Sequence, residues 1–303
     1  MPCYSPLTGY RSASINPKTG KRGIVFNTSE GFRDLPVTVP CGGCIGCRID
    51  RSRQWAIRCT HEAQMHEEKC FVTLTYEDSN LPAAGTLVRP DVQKFLKRLR
   101  KANPGRRIRY FYCGEYGDES LRPHYHLCLF GIDWRSEWQK ISGGDHACYT
   151  SESLAKLWLF GHHTIQDFTE ATAAYTARYC IKKVNGDRAE KHYARTDSRS
   201  GEILTVTPEF IGMSLKPAIG HPWLDKFKSD IYPRDEVILK GRKLTVPKYY
   251  DRQLEKSDPT LLGKLKAKRQ RRALRNRKDS SPRRLRDRAE VQTLKLKNLE
   301  RKI

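Results

Sequence analysis

The sequence holds no apolar run that approaches the roughly 20 residues a membrane-spanning helix needs. Its first residues, Met-Pro-Cys-Tyr-Ser-Pro, have neither the basic start nor the apolar core of a secretory signal. No internal repeat is visible. Acidic residues are in short supply, with 34 Asp and Glu against 57 Lys and Arg among 303 residues, a formal charge of +23. That imbalance calls for a polyanionic partner, nucleic acid before an anionic membrane surface. Hydrophobic residues make up 38% of the chain and mean hydropathy is −0.71. Both are low, yet compatible with a real core in one large or two modest domains. The ten cysteines would suit a disulfide scaffold only in a short secreted chain. Cys128 and Cys180 sit inside apolar segments as small buried thiols would, and a reducing cytosol is the expected setting.

What is present is patterned. Residues 48–68 read as a helix bearing Arg48, Arg51, Arg53 and Arg58 beside Trp55 and Ile57. Residues 70–76 read as a strand. Pro90 opens a helix in which Val92, Phe95, Leu96 and Leu99 follow the helical period. Arg107 to Cys113 and His124 to Gly131 are two further strands, separated by a turn holding Gly117, Asp118 and Pro123. Ser151 to Phe160 reads as a short helix ended by Gly161, and His163 to Phe168 as a fourth strand. Thr169 then caps a last helix. Residues 1–60 read as loop-rich. This order predicts an α+β fold, a small and mostly antiparallel sheet covered by helices.

Two motifs carry chemistry. In Arg122-Pro-His124-Tyr-His126-Leu-Cys-Leu-Phe130, a strand sends His124 and His126 to one face, roughly 6–7 Å apart. Tyr125, Leu127 and Leu129 then point to the opposite, packed face. Two imidazoles so placed can hold one metal ion. Glu115, nine residues before His124, returns alongside if the segment is a hairpin, and is preferred as third ligand to Asp118 and Glu119 in the turn. In Tyr175-Thr-Ala-Arg-Tyr179-Cys-Ile-Lys182, the two tyrosines are at helical i,i+4 spacing, where they could equally form a packed aromatic stripe. Lys182, one turn beyond Tyr179, and Arg178 and Lys183 on the same helix would favour a phenolate. A metal that polarises a phosphate and a tyrosine that attacks it make a DNA-nicking site. Non-haem Fe(II) oxygenases also use two His and one carboxylate, but call for neither a tyrosine helix nor so basic a chain.

These segments, with Pro40-Cys41-Gly-Gly-Cys44, Phe71-Val-Thr-Leu-Thr-Tyr76 and Cys113-Gly-Glu115-Tyr-Gly117, resemble in kind and order the replication initiators of small single-stranded DNA phages. Those are microviruses of the gokushovirus type, and their initiators are HUH endonucleases. The resemblance covers roughly residues 1–250. It implies an RRM-like core and rolling-circle initiation at a viral origin in single-stranded DNA. It further implies cleavage by both tyrosines in turn through a 5′-phosphotyrosine, with Mg²⁺ or Mn²⁺ at His124, His126 and Glu115. Host replication helicase or polymerase would be partners, the bacterial host cytoplasm the location, and no membrane is involved. A plasmid relaxase or HUH transposase would share the site. A noncatalytic, zinc-stapled DNA-binding or packaging protein would not.

A third motif, Cys41-x-x-Cys44-x-x-Cys47, resembles half of a zinc knuckle. Cys3, Cys59 or His61 could complete a structural Zn²⁺ site. The division expected is a Cys-rich segment with a basic helix (1–68), an endonuclease core (69–190), an extension packed on it (191–260) and a basic tail (261–303), helical or disordered. From Lys264 the tail holds 17 basic and 4 acidic residues, +13 of the total +23, and suits a nonspecific DNA-holding arm. DNA contacts are expected at Arg51, Arg58, Arg178 and Lys183.

Overall fold

The computed structural model describes residues 3–143, 147–182, 184, 188–197 and 200–300, without the side chains of 179–182, 188 and 297–300. In chain order the strands are β1 (Leu7–Ile15), β2 (Arg22–Val25), β3 (Gly31–Val39), β4 (Lys69–Tyr76), β5 (Arg109–Tyr116), β6 (Pro123–Phe130), β7 (Gln139–Ser142), β8 (Cys148–Thr150), β9 (Gly161–Asp167), β10 (Ala194–Thr196), β11 (Ile203–Thr205), β12 (Phe210–Met213), β13 (Val237–Leu239) and β14 (Arg242–Leu244). The helices are α1 (Ile45–Ala63), α2 (Arg89–Ala102), α3 (Glu152–Ala155), α4 (Glu170–Lys182), α5 (Arg188–Tyr193), α6 (His221–Ile231), α7 (Lys248–Ser257), α8 (Pro259–Arg275) and α9 (Pro282–Glu300). Two compact units emerge, residues 1–50 with 263–303, and residues 51–262.

In the first unit, β1, β2 and β3 form an antiparallel sheet of order β2-β1-β3. This corrects the loop-rich reading of residues 1–60. The strands escaped notice because they lack apolar alternation. The buried positions of β1 are Gly9 and Ser12, while Leu7, Ile15, Ile24, Phe26, Phe32 and Leu35 are exposed. The tail takes the helical alternative. The tail is interrupted between α8 and α9, and Pro282 opens α9, as proline does in a first turn.

The second unit is built on a seven-stranded sheet of order β12-β5-β6-β4-β9-β8-β7, antiparallel at every described pairing. Strand alternation separates its two faces. Val72, Leu74, Tyr76, Tyr125, Leu127 and Leu129 point to one face and join Val92, Phe95, Leu96 and Leu99 of α2 in the larger core. Phe71, Phe111, Cys128 and Phe130 point to the other, with Cys59 and Ala63 of α1 and Ala173 of α4. The expected short helix to Phe160 ends earlier, at Ala155. Gly161 opens β9 rather than closing that helix. Its φ is +143°, and a Cβ there would fall 2.2 Å from the Glu77 backbone nitrogen, so only glycine lets β9 begin beside the end of β4.

One buried ion pair ties these layers together. Glu62 of α1 is fully buried and accepts from Arg109 Nε of β5, from the Gly220 N–H at 2.7 Å, and contacts His66 Nε2 at 3.3 Å. Arg109 also donates to the Pro217 carbonyl at 2.9 Å. Burial alone would raise the Glu62 carboxyl pKa, but His66, Arg109 and the Gly220 amide outweigh it and hold it below the usual carboxylate value. A depressed folded-state pKa contributes stability above the unfolded value, about 4.3, which is lost as pH falls through the folded value. Glu62→Gln is expected to cost about 3 kcal/mol at pH 7. The gap from the parent protein should shrink as pH falls through that window. Urea unfolding at neutral and acid pH measures both; a gap unchanged by pH would contradict the assignment.

Candidate active site and cysteine cluster

Strand register assembles the first site. Antiparallel pairing sets Glu115 of β5 opposite His124 of β6, and Cys113 opposite His126. On the other side of β6, Thr73 of β4 is opposite His126 and Thr75 opposite His124. Glu115, His124, His126, Thr73 and Thr75 therefore share one face, the one carrying α4, which contacts β5, β6 and β12. Glu115 Oε1 lies 2.7 Å from His126 Nε2, and both residues are buried, at 3% and 6% exposure. The two imidazoles stack with centroids 6.3 Å apart and planes 8° from parallel. Asp118 and Glu119 lie in the turn beyond β5.

Thr73 was not anticipated. Its Oγ1 is 3.0 Å from His126 Nδ1. While Glu115 accepts from Nε2–H, Nδ1 accepts from the Thr73 hydroxyl. If Nε2 instead offers its lone pair, Nδ1–H can donate to the same hydroxyl, since a hydroxyl serves both roles. Thr73 thus orients the ring in either tautomer. Its signal lay in the alternation of Phe71, Thr73 and Thr75, which needed the β4–β6 register to acquire meaning. His124 is held below the ordinary histidine pKa, by burial first and by the neighbouring His126 second, which favours the neutral ring that a metal requires.

The helix bearing the tyrosines begins as expected. Thr169 Oγ1 accepts from the Thr172 N–H at 3.1 Å, and Thr172 Oγ1 accepts from the Thr169 N–H at 2.9 Å, a reciprocal cap. The Tyr175 ring stands edge-on to His126, with centroids 5.2 Å apart and planes 84° from parallel. It is also edge-on to Phe71 at 6.2 Å. The Arg178 guanidinium lies 5.9 Å from the Tyr175 ring centre. Tyr179 and Lys182 follow on the same helix; their side chains, and all of Lys183, lie outside the described residues.

The basic helix is placed less simply. Arg51 is exposed. Arg58, expected to touch DNA, is instead buried at 8% exposure. Its guanidinium is sandwiched between Trp55 and Tyr249, each at 4.2 Å, and its Nε donates to the Ile219 carbonyl at 2.9 Å. Arg58 is thus committed to packing.

The cysteines separate in the same way. Among the described residues, Cys3, Cys41, Cys44 and Cys47 form the one set of three or more His, Cys, Asp or Glu whose donor atoms all lie within 4.8 Å of one another. Cys59 is fully buried in the second core cluster, and burial pushes its thiol well up. His61 Nδ1 is 2.9 Å from the Tyr250 hydroxyl, and its ring stacks on Trp223. In the cluster itself, burial would raise Cys44, but N–H donors from Tyr4 and Cys47 and the neighbouring thiols draw it down to about 6. Cys47 is pushed up to about 12, by burial first and then by its thiol neighbours.

Comparison with known proteins follows the same segments. A family model for the replication-associated protein ORF2/G2P matches residues 69–184, which run from β4 through α4. The chain is similar to the replication-associated protein ORF2 of Spiroplasma virus 4, 34% identical over 291 residues, covering 89% of this chain and 86% of that one. It is also similar to the replication-associated protein VP4 of Bdellovibrio phage phiMH2K, 32% identical over 272 residues, 86% and 79% of the two chains. A third relative is the replication-associated protein ORF4 of Chlamydia phage 1, 29% identical over 229 residues, 72% and 54% of the two chains. No solved structure matches. Identity at this level over nearly the whole chain, with the family model falling on the strands and helix of the site, makes this chain a member of the phage replication-associated protein family.

Proposed function

We propose that this protein initiates replication by nicking and rejoining single-stranded origin DNA through a covalent tyrosyl intermediate. The observation that carries the reading is the Tyr175 ring standing 5.2 Å from the His126 ring, a nucleophile's side chain beside a His/Glu donor set. Family membership supports the replication role, and the charge of +23 supports a DNA partner.

The donor set suits a hard divalent ion. Two imidazoles, one of them biased to the neutral form, and one carboxylate share one face of β5 and β6, with Glu115 against His126 and the Thr73 hydroxyl fixing the His126 ring, although the donor atoms of all three do not lie within 4.8 Å of one another. His124, His126 and Glu115 would hold Mg²⁺ or Mn²⁺; a softer ion such as zinc would favour the four thiols of the N-terminal segment. When bound, such an ion withdraws charge from a phosphodiester oxygen and orients it. The chain's own groups do the rest. Tyrosine is a weak nucleophile at neutral pH because its pKa is about 10. The Arg178 guanidinium, and Lys182 one turn beyond Tyr179, favour the phenolate. The phenolate oxygen attacks phosphorus, the bond from phosphorus to the 3′ oxygen breaks, and that oxygen takes up a proton and leaves as a hydroxyl. The 5′ phosphate stays on tyrosine. Attack by a 3′ hydroxyl on that ester reverses the step and rejoins DNA. Tyr179, at i,i+4 from Tyr175, is the second nucleophile, so that one tyrosine is free while the other is esterified. Host replication proteins are the partners and the bacterial cytoplasm the setting. No described helix is long and apolar enough to cross a membrane.

A nicking assay on labelled single-stranded DNA, with added Mg²⁺ or Mn²⁺, tests the reading. His126→Ala is expected to lose nicking by at least about 100-fold (roughly 2.7 kcal/mol), while bulk DNA affinity, spread over many cations, stays near the parent value. Full cleavage by His126→Ala in excess Mn²⁺ would remove the metal assignment. No nicking by the parent protein under any divalent ion would favour a noncatalytic DNA-binding role.

The role given to Thr73 has its own signature. Thr73→Val keeps the side-chain shape but removes the hydroxyl that orients His126. The metal concentration for half-maximal nicking should rise by about 10-fold, with the rate at saturating metal largely restored. An unchanged metal dependence would leave Thr73 a packing residue.

A further inference from the structure

The cysteine cluster is independent of the nicking site and lies wholly in residues 3–47. Its geometry is that of a metal knuckle. A tetrahedral Zn²⁺ with Zn–S bonds near 2.3 Å requires sulfurs about 3.8 Å apart. Cys3 Sγ lies 3.8 Å from Cys41 Sγ and 3.9 Å from Cys44 Sγ, and all four sulfurs fall within 4.8 Å of one another. All four cysteines are free thiols, and these separations are far longer than a disulfide bond. Backbone amides face the sulfurs. The Tyr4 N–H donates to Cys44 Sγ at 3.2 Å, the Cys41 N–H to Cys3 Sγ at 3.3 Å, and the Cys44 N–H to Cys41 Sγ at 3.3 Å. Such donors offset the charge that four thiolates around a divalent ion would concentrate.

We infer that Cys3, Cys41, Cys44 and Cys47 form a structural zinc site in which the N-terminal Cys3 is the fourth ligand, stapling the start of the chain to the entrance of α1. Thiolate ligands in a closed tetrahedral set select zinc among common divalent ions and leave no position for substrate. The chain between Cys3 and Cys41 is β1, β2 and β3. That sheet buries little besides Gly9 and Ser12 and exposes its large apolar side chains, so apolar burial does little to hold it. Closing the loop at its ends does that work instead. Arg288 of α9 lies 5.7 Å from the ring centre of Tyr4, next to the ligand Cys3, so the staple also steadies a contact with the basic tail.

The test uses the full chain purified without chelator. Metal analysis should find about one zinc per chain. Cys3→Ser should lose most of it, while Cys59→Ser should keep it. Cobalt substituted for zinc should give the intense visible absorption of a tetrahedral four-thiolate site. Chelation should expose residues 3–47 to limited proteolysis while residues 51–262 remain intact. Should Cys3→Ser fail to fold, chelation and cobalt absorption on the parent chain still decide the matter. Zinc-free protein with a protease-resistant N-terminus would overturn the inference. So would iron in place of zinc, or full zinc retention by folded Cys3→Ser.

Discussion

The register of three adjacent strands, β5, β6 and β4, is the constraint on which the rest of the molecule depends. Because strand side chains alternate with period two, one register sets the position of Glu115 beside His124 and His126, Thr73 beneath His126, and Phe71 beside Tyr175. A slip of one residue in β6 would turn both histidines into the α2 core and bring Tyr125 and Leu127 to the site. The fold resists that slip strongly. Tyr125 is fully buried, and its hydroxyl accepts from the Val88 N–H at 2.8 Å and lies 2.9 Å from the Tyr76 hydroxyl. The polar partners and the apolar packing on the far face therefore hold the face that carries the histidines in place.

The buried ion pair of Glu62 and Arg109 serves the same end from a different direction. It joins α1 to the start of β5 and to the turn at Pro217–Gly220, so the strand that carries Glu115 at its far end is anchored at its near end. Arg58, buried on the same helix, docks on the same turn through Ile219. The arginines of α1 thus divide between internal structure at Arg58 and a solvent-facing position at Arg51. Charge counting does not separate these roles, because a guanidinium between two aromatic rings looks the same in sequence as one offered to phosphate.

Much of the site was legible because its signals were local. His124 and His126 declare their common face by spacing, Glu115 follows from a short hairpin, and Thr169 announces the tyrosine helix through its cap. What was not legible depended on partners distant in sequence. Thr73 meets His126 across 53 residues, and the choice of Cys3 among the three candidate partners of the cysteine motif rests on its meeting Cys41 across 38. The latter contact leaves Cys59 and His61, the nearer alternatives on α1, to the interior. Strands β1 to β3 were missed for an opposite reason. They bury almost nothing, and a sheet without a core has no alternation to betray it. Gly161 was read as a helix stop because glycine commonly is one, whereas its role is to admit the Glu77 backbone.

The central claim is that tyrosines of α4 become covalently joined to DNA beside the histidine strand. Peptide mapping of the protein–DNA adduct, formed with a divalent ion on single-stranded DNA, tests it most directly. The account predicts a 5′-phosphate ester at Tyr175 or Tyr179, an adduct still formed by Tyr175→Phe and by Tyr179→Phe taken singly, and none in the double variant. An adduct on any other residue, or one that survives in the double variant, would contradict it.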